Sequence, residues 1–241
     1  MKRILVLMLV VTIAGVSVFA QDGEDDQERT STIEDVFLRQ QIELQILRSQ
    51  ARATDRESKL LALNTVAEMH ENGGLDTSPE MFDVITLLAT EGTSNQVRSA
   101  GRVVNNYPVV RARAASLLGD VGGREAQEVL LVMIREDPEP MVLAEAIYAL
   151  GKIGPEDNAD LVADHIVFSL TRENSKITPD NNLAMAALLA MEALFEAGME
   201  FEDPDRLRDA VGLILDISSN YRYITIVRNR AQDVLDTLIK L

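Results

Sequence analysis

The sequence predicts an all-α solenoid of about five antiparallel helix pairs, and three observations carry that expectation. The segment VRARAASLLGDVG at 110–122 recurs 32 residues later as VLAEAIYALGKIG at 142–154. A fixed internal period of this length is the mark of stacked supersecondary units. From Ile33 onward apolar residues return at three- and four-residue spacing, and no segment alternates for long as a strand would. Proline and glycine fall between these stretches and rarely inside them, where they would cost helix stability.

The first pair is expected at about 32–50 and 55–72, with Asp55 capping its second helix and Asn72-Gly73-Gly74 ending it. Ser78-Pro79-Glu80 opens the second pair with an N-cap followed by proline at the first helical position. That helix runs to about Glu91, and its partner spans about 109–120. The third pair covers about 124–136 and 139–151, turned by Asp137-Pro138-Glu139-Pro140. The fourth covers about 156–173 and 181–197. The fifth opens at Asp203-Pro204, reaches about Ser219, and closes with about 224–240.

The repeat continues downstream in weaker form. Ala186, Ala190, Leu194 and Gly198 keep the spacing of Val142, Ala146, Leu150 and Gly154; Val227, Ala231 and Leu235 keep the first three positions. In the first pair Ala62 and Val66 are the counterparts. A central alanine lets neighbouring helices approach, and aliphatic residues one turn either side fill the core. Ala146 is therefore expected to be buried. The terminal glycine is expected to take a left-handed conformation and stop the helix.

The turn Asp137-Pro138-Glu139-Pro140-Met141-Val142, followed by Ala146, Leu150-Gly151 and Ile153-Gly154, resembles a HEAT repeat. It is most similar to the short HEAT-like repeats first noted in phycobilin lyases. The resemblance is specific across 110–154 and looser across 155–241, whereas 33–91 is assigned by helix pairing alone. It implies a right-handed α-solenoid whose second helices line a concave face, and it implies no activity. The residue after the first valine is usually arginine in this family. Arg111 and Arg228 keep it after Val110 and Val227, but Leu143 replaces it after Val142.

Residues 1–20 are read as a cleaved signal peptide. Lys2 and Arg3 precede an apolar run from Ile4 to Phe19, and Val18-Phe19-Ala20 places small residues where a signal peptidase reads. The run falls short of the roughly 20 residues a spanning helix needs; an uncleaved anchor is the alternative. The mature chain is expected to start at Gln21, in the periplasm or outside the cell. The chain has no cysteine, which removes disulfides and thiolate metal sites. Its net charge is −16, and loss of Lys2 and Arg3 makes it more negative still. Such a field argues against nucleic-acid and anionic-membrane binding. Asp22 to Asp35 holds seven acids and one arginine, so 21–31 reads as a disordered acidic lead before a solenoid over 32–241.

Two patches are candidate protein-binding sites. Gly92 to Pro108 is too long for a repeat turn, and loops of that length inside a compact domain tend to be functional or disordered. It reads as a small hairpin or hooked loop. Arg98, Arg102, Arg111 and Arg113 make 92–113 locally basic, and Tyr107 offers an aromatic anchor, since tyrosine and arginine are enriched at binding hot spots. Under the contact reading Arg98, Arg102 and Tyr107 point outward. Under the alternative the arginines are internal counter-charges for Glu80, Asp83 or Asp120. The second patch is Tyr221, Arg222 and Tyr223 with Arg228 and Arg230, set against an ordinary interhelix turn.

No catalytic, cofactor or metal site is expected. His70 and His165 are the only histidines and stand in no paired-ligand spacing; there is no Gly-x-Ser-x-Gly or Walker loop. Asp157, Asn158, Asp160 and Asp164 lack the glycine and terminal glutamate of a calcium loop. The expected function is a non-catalytic exported scaffold that binds protein in the cell envelope, by analogy an accessory of a large machine such as a flagellar motor. The rival is a small-molecule or chromophore binder related to bilin lyases, which would need an apolar groove with convergent polar groups.

Overall fold

The computed structural model describes residues 33–72, 79–155, 159–199, 201 and 203–240, with side chains from Leu38 onward. The expected signal peptide and acidic lead lie outside the described residues, as do Gly73, Gly74, Ser78, Asp157 and Asn158. From Arg39 onward the described residues belong to one compact unit. The helical array lies in that unit apart from the first turns of its first helix.

Ten helices and one two-stranded hairpin are present among the described residues. The first pair is α1 (Ile33–Ala51) and α2 (Arg56–Glu71); the second is α3 (Pro79–Ala89) and α4 (Pro108–Val121). Between α3 and α4 lie β1 (Arg98–Ser99) and β2 (Arg102–Val103). The third pair is α5 (Gly123–Glu136) and α6 (Pro140–Ile153), the fourth α7 (Ala159–Asn174) and α8 (Asn181–Glu196), and the fifth α9 (Pro204–Ser219) and α10 (Thr225–Lys240). These bounds follow the sequence expectation closely, because caps and breakers fix them. The Asp55 carboxylate accepts from Ser58 N at 2.7 Å, and Asp180 and Asp203 cap α8 and α9 in the same way. Pro108, Pro140 and Pro204 stand in the first turns of α4, α6 and α9, where no intrahelical donor is lost.

The helix-ending glycines are more constrained than expected. Gly122 sits at φ 71°, ψ −170° and Gly154 at φ 86°, ψ −175°. This is not the left-handed helical region but the extended positive-φ region, which is essentially closed to any residue with a Cβ. Gly122 alone connects α4 to α5, so the chain reverses through one residue.

Counting each second helix from its first residue gives the structural register. Ala62, Ala114, Ala146, Ala187 and Ala231 occupy the seventh position of α2, α4, α6, α8 and α10, and all five are fully buried. This corrects the expectation for α8. The sequence alignment placed Ala190 opposite Ala146, whereas the packing places Ala187 there, with Leu183 for Val142 and Met191 for Leu150. Alanine-rich α8 offers the same four-residue spacing in two phases, and it runs slightly longer at its C-terminal end, which carries Gly198 away from the position of Gly154.

The second helices stack side by side, most extensively α4 on α6 and α6 on α8. Gly119 and Gly151, both at position twelve, make this possible. A Cβ on Gly119 would lie 2.8 Å from Ala149 Cβ, and one on Gly151 would lie 2.5 Å from Ala190 Cα. Ala149 and Ala190 are themselves equivalent, at position ten of the next second helix. The first helices α3, α5, α7 and α9 meet one another over fewer residues. A continuous apolar core runs between the two layers, from Leu47 to Val234.

Candidate protein-binding surface

The segment between α3 and α4 is a fastened base with a projecting tip. Arg98 pairs with Val103 and Ser99 with Arg102 in antiparallel register, and Ala100 (φ 48°) and Gly101 (φ 80°) make the two-residue turn. Positive φ at both central residues matches the right-handed twist of hairpin strands. The base is held by Asn105, which is buried. Its Oδ1 accepts from Val97 N at 2.8 Å, and its Nδ2 donates to Asn95 O at 2.8 Å. The Ser94 hydroxyl donates to the Glu136 carboxylate at the end of α5. That bond, with Arg135 beside it, holds the Glu136 carboxyl below its ordinary range.

Arg111 is the main fastener, and here the structure corrects the sequence. It is wholly buried and cannot touch a partner. Its guanidinium forks onto Asp137, with Nε to Oδ2 at 2.5 Å and Nη2 to Oδ1 at 3.2 Å. Nη1 donates to Glu91 O at 3.0 Å and Asn106 Oδ1 at 2.8 Å. The arginine therefore ties both ends of the inserted segment to the turn of the next pair. Its counter-charge is Asp137, not Glu80, Asp83 or Asp120. Tyr107 is corrected in part. It is half-buried, and its hydroxyl donates to Thr54 O at 2.8 Å, so it braces the segment against the α1–α2 turn rather than pointing outward.

Arg98 and Arg102 do lie exposed on the hairpin, on opposite faces of the ribbon, since Arg98 pairs with Val103 and Arg102 with Ser99. Arg98 bonds only within the hairpin, to Gln96 Oε1 and more weakly to Gly101 O. The Arg102 side chain has no partner among the described residues. Arg113 is half-buried on α4 and donates to Asn64 Oδ1 on α2 at 3.2 Å.

The second patch is split by burial. Tyr221 is 85% exposed, but Tyr223 is 2% exposed and is no contact residue. Burial, and secondarily the Glu173 carboxylate, pushes the Tyr223 phenol up to about 12. Arg222 is exposed and donates to Lys176 O at 2.9 Å. Arg228 is half-buried with Nη2 on Thr225 Oγ1, and Arg230 is ion-paired with Glu192 of α8. The Arg230–Glu192 pair, with Lys152–Asp120 and Arg113–Asn64, links successive second helices. Pairs as exposed as Lys152–Asp120 contribute little stability.

One arrangement escaped the sequence reading. Lys59, 3% exposed, donates to Ala51 O at 2.8 Å and pairs with Glu91 at 2.8 Å. Aligning Ala62 with Ala114 places Lys59 at the position of Arg111, so the signal was present in the weakest repeat. Beside this pair, between the α1–α2 turn and the hairpin base, opens a cleft of about 340 Å³. Among the described residues no group of three or more histidines and acids is placed to hold a metal, and no helix is long and apolar enough to cross a membrane.

Comparison with known proteins agrees with this architecture. Residues 103–167, from β2 to α7, match the family model for HEAT repeats. Among solved structures the chain is similar to a designed armadillo repeat protein, at 15% identity and a TM-score of 0.41. That likeness covers 81% of this chain and 99% of the other. No curated protein matches the chain. The fold is a HEAT-like helical-repeat solenoid, an architecture that typically serves as a non-catalytic scaffold for protein contacts.

Proposed function

We infer that this chain is an exported, non-catalytic scaffold that binds a protein partner in the cell envelope through the 92–108 hairpin. The observation that carries the reading is the contrast within that segment: a base fastened by Arg111, Asn105 and Ser94, and a tip whose arginines face solvent. A rigid array holding a preformed projection loses little conformational freedom on binding. Export rests on the basic start, the apolar run and the Val18-Phe19-Ala20 site. A role as accessory to a large envelope machine extends this by analogy of location and fold.

The test has two arms. N-terminal sequencing of protein from a periplasmic fraction should give Gln21; Met1 retained in the membrane fraction would sink the export reading. A photo-crosslinking residue placed at Gly101, at the hairpin tip, should yield one discrete protein adduct in living cells. Adducts from Tyr148 on α6 but none from Gly101 would move the contact surface from the hairpin to the second-helix layer.

A further inference from the structure

The cleft between the hairpin and the α1–α2 turn has three properties that together define a ligand. Its walls are apolar: Ala51, Ala53 and Leu87 on the helical side, Val97 and Val104 on the hairpin. The two valines are 54% and 48% exposed, a cost in water that a docked apolar group would remove. Its buried end carries Lys59 and Glu91. Glu91 Oε1 receives Lys59, and Asn105 Nδ2 more weakly, but the second carboxylate oxygen is buried with no hydrogen-bond partner. A buried acceptor of this kind costs free energy until a donor reaches it. Its approach is basic: Arg52 lies on the rim, Arg102 stands on the hairpin face that carries Val97 and Val104, and neither has a side-chain partner among the described residues. They stand so in a chain whose acids exceed its bases by 16.

We propose that this cleft is an anchor pocket for a donor-tipped aromatic side chain, tyrosine or tryptophan, presented by an acidic segment of a partner protein. The ring fills the apolar walls, its O–H or N–H meets the Glu91 carboxylate, and flanking acids meet Arg52 and Arg102. An amine is disfavoured because Lys59 already supplies the positive charge at the buried end. The volume lies at the small end of ligand pockets, which run from about 300 to 1,000 Å³, and admits one aromatic group. Aromatic residues that keep a polar tip are favoured at interfaces because both ends are then satisfied. The proposal rests on the protein-binding reading above and names its chemistry.

The chain has no tryptophan, so the emission of a tryptophan peptide reports on the peptide alone. The probe is a pentapeptide with central tryptophan and two aspartates on each side, titrated with full-length mature protein at low salt. Emission should shift to the blue with saturation. Methylating the indole nitrogen should weaken binding about tenfold, and replacing the aspartates by lysines should abolish it. Val104→Asp, at an exposed position, should abolish binding while circular dichroism and melting stay unchanged. Arg52→Ala with Arg102→Ala should weaken binding and flatten its salt dependence. No saturable shift up to about 1 mM peptide, a weak-binding limit near −4 kcal/mol, would overturn the proposal. So would equal binding of the methylated peptide, or undiminished binding to Val104→Asp. A discrete cellular adduct at Gly101 alongside any of these results would leave the scaffold reading standing and remove the pocket alone.

Discussion

Arg111 and Leu143 occupy the same place in consecutive repeats, position four of α4 and of α6, and both are buried. One carries a charge and four hydrogen bonds; the other is a hydrocarbon. The difference lies in what precedes each helix. α6 follows a three-residue turn in which Asp137 Oδ1 already accepts from Glu139 N, so little backbone is left to satisfy. α4 follows an inserted segment whose backbone and side chains need partners in the interior; Arg111 serves two of them, Glu91 O and Asn106 Oδ1, and ties them to Asp137 of the next turn. Lys59 at position four of α2 makes a similar connection to Ala51 O and Glu91. α2 follows only a four-residue turn, so what the two buried cations share is Glu91, the residue at the start of the inserted segment, which both of them contact.

The first way to break this comparison is to make the two repeats alike. Arg111→Leu leaves Asp137 buried without its counter-charge and should cost about 3–5 kcal/mol, measured by urea unfolding. Adding Asp137→Asn should recover part of that loss. Hydrogen exchange at Val97 and Val104 should quicken in the single variant; unchanged exchange would mean Arg111 does not fasten the hairpin.

The next tests the spine the two repeats share. Gly151→Ala sets a methyl against the Ala190 backbone and should cost about 1–3 kcal/mol through overpacking. Gly119→Ala meets chiefly the Ala149 methyl and should cost less. Equal melting temperatures for both variants and the parent would show that the close approach is not needed.

A smaller effect is expected at Tyr223, whose hydroxyl is buried with no partner. Tyr223→Phe should be close to neutral at pH 7, within about 1 kcal/mol. At high pH the sign is set by the raised phenol. Its contribution is complete below the ordinary tyrosine value near 10 and is lost as pH climbs toward about 12, because the unfolded chain ionises first. The Phe variant should lose less stability over that window than the parent. Absorbance titration should show one of the four tyrosines ionising last.

The smallest effect belongs to the hairpin tip. Arg102→Ala should move stability by no more than about 0.5 kcal/mol, which thermal melting can check. A larger loss would make Arg102 a structural residue like Arg111.

The helices were legible because their signals are local. Asp137-Pro138-Glu139-Pro140 fixes a turn by itself, and the apolar spacing of 142–150 fixes a buried face. Two things were not local. The phase of α8 is set by what it packs against, and its alanines fit two phases equally well in sequence. The burial of Arg111 depends on Asp137, 26 residues away, and an arginine on a helix otherwise reads as solvent-facing. The same holds for Tyr223: beside Tyr221 and Arg222 it looks like one patch, but one side chain turns inward. The hairpin was legible in length and charge, while the cleft under it required Lys59, Glu91 and Val104 to be brought together from three elements.

The contacts of Gly119 with Ala149 and Gly151 with Ala190 have a mechanical consequence. Backbones already in contact cannot be compressed, so α4, α6 and α8 act as the stiff flange of a beam. The first helices, meeting over fewer residues, form the compliant one.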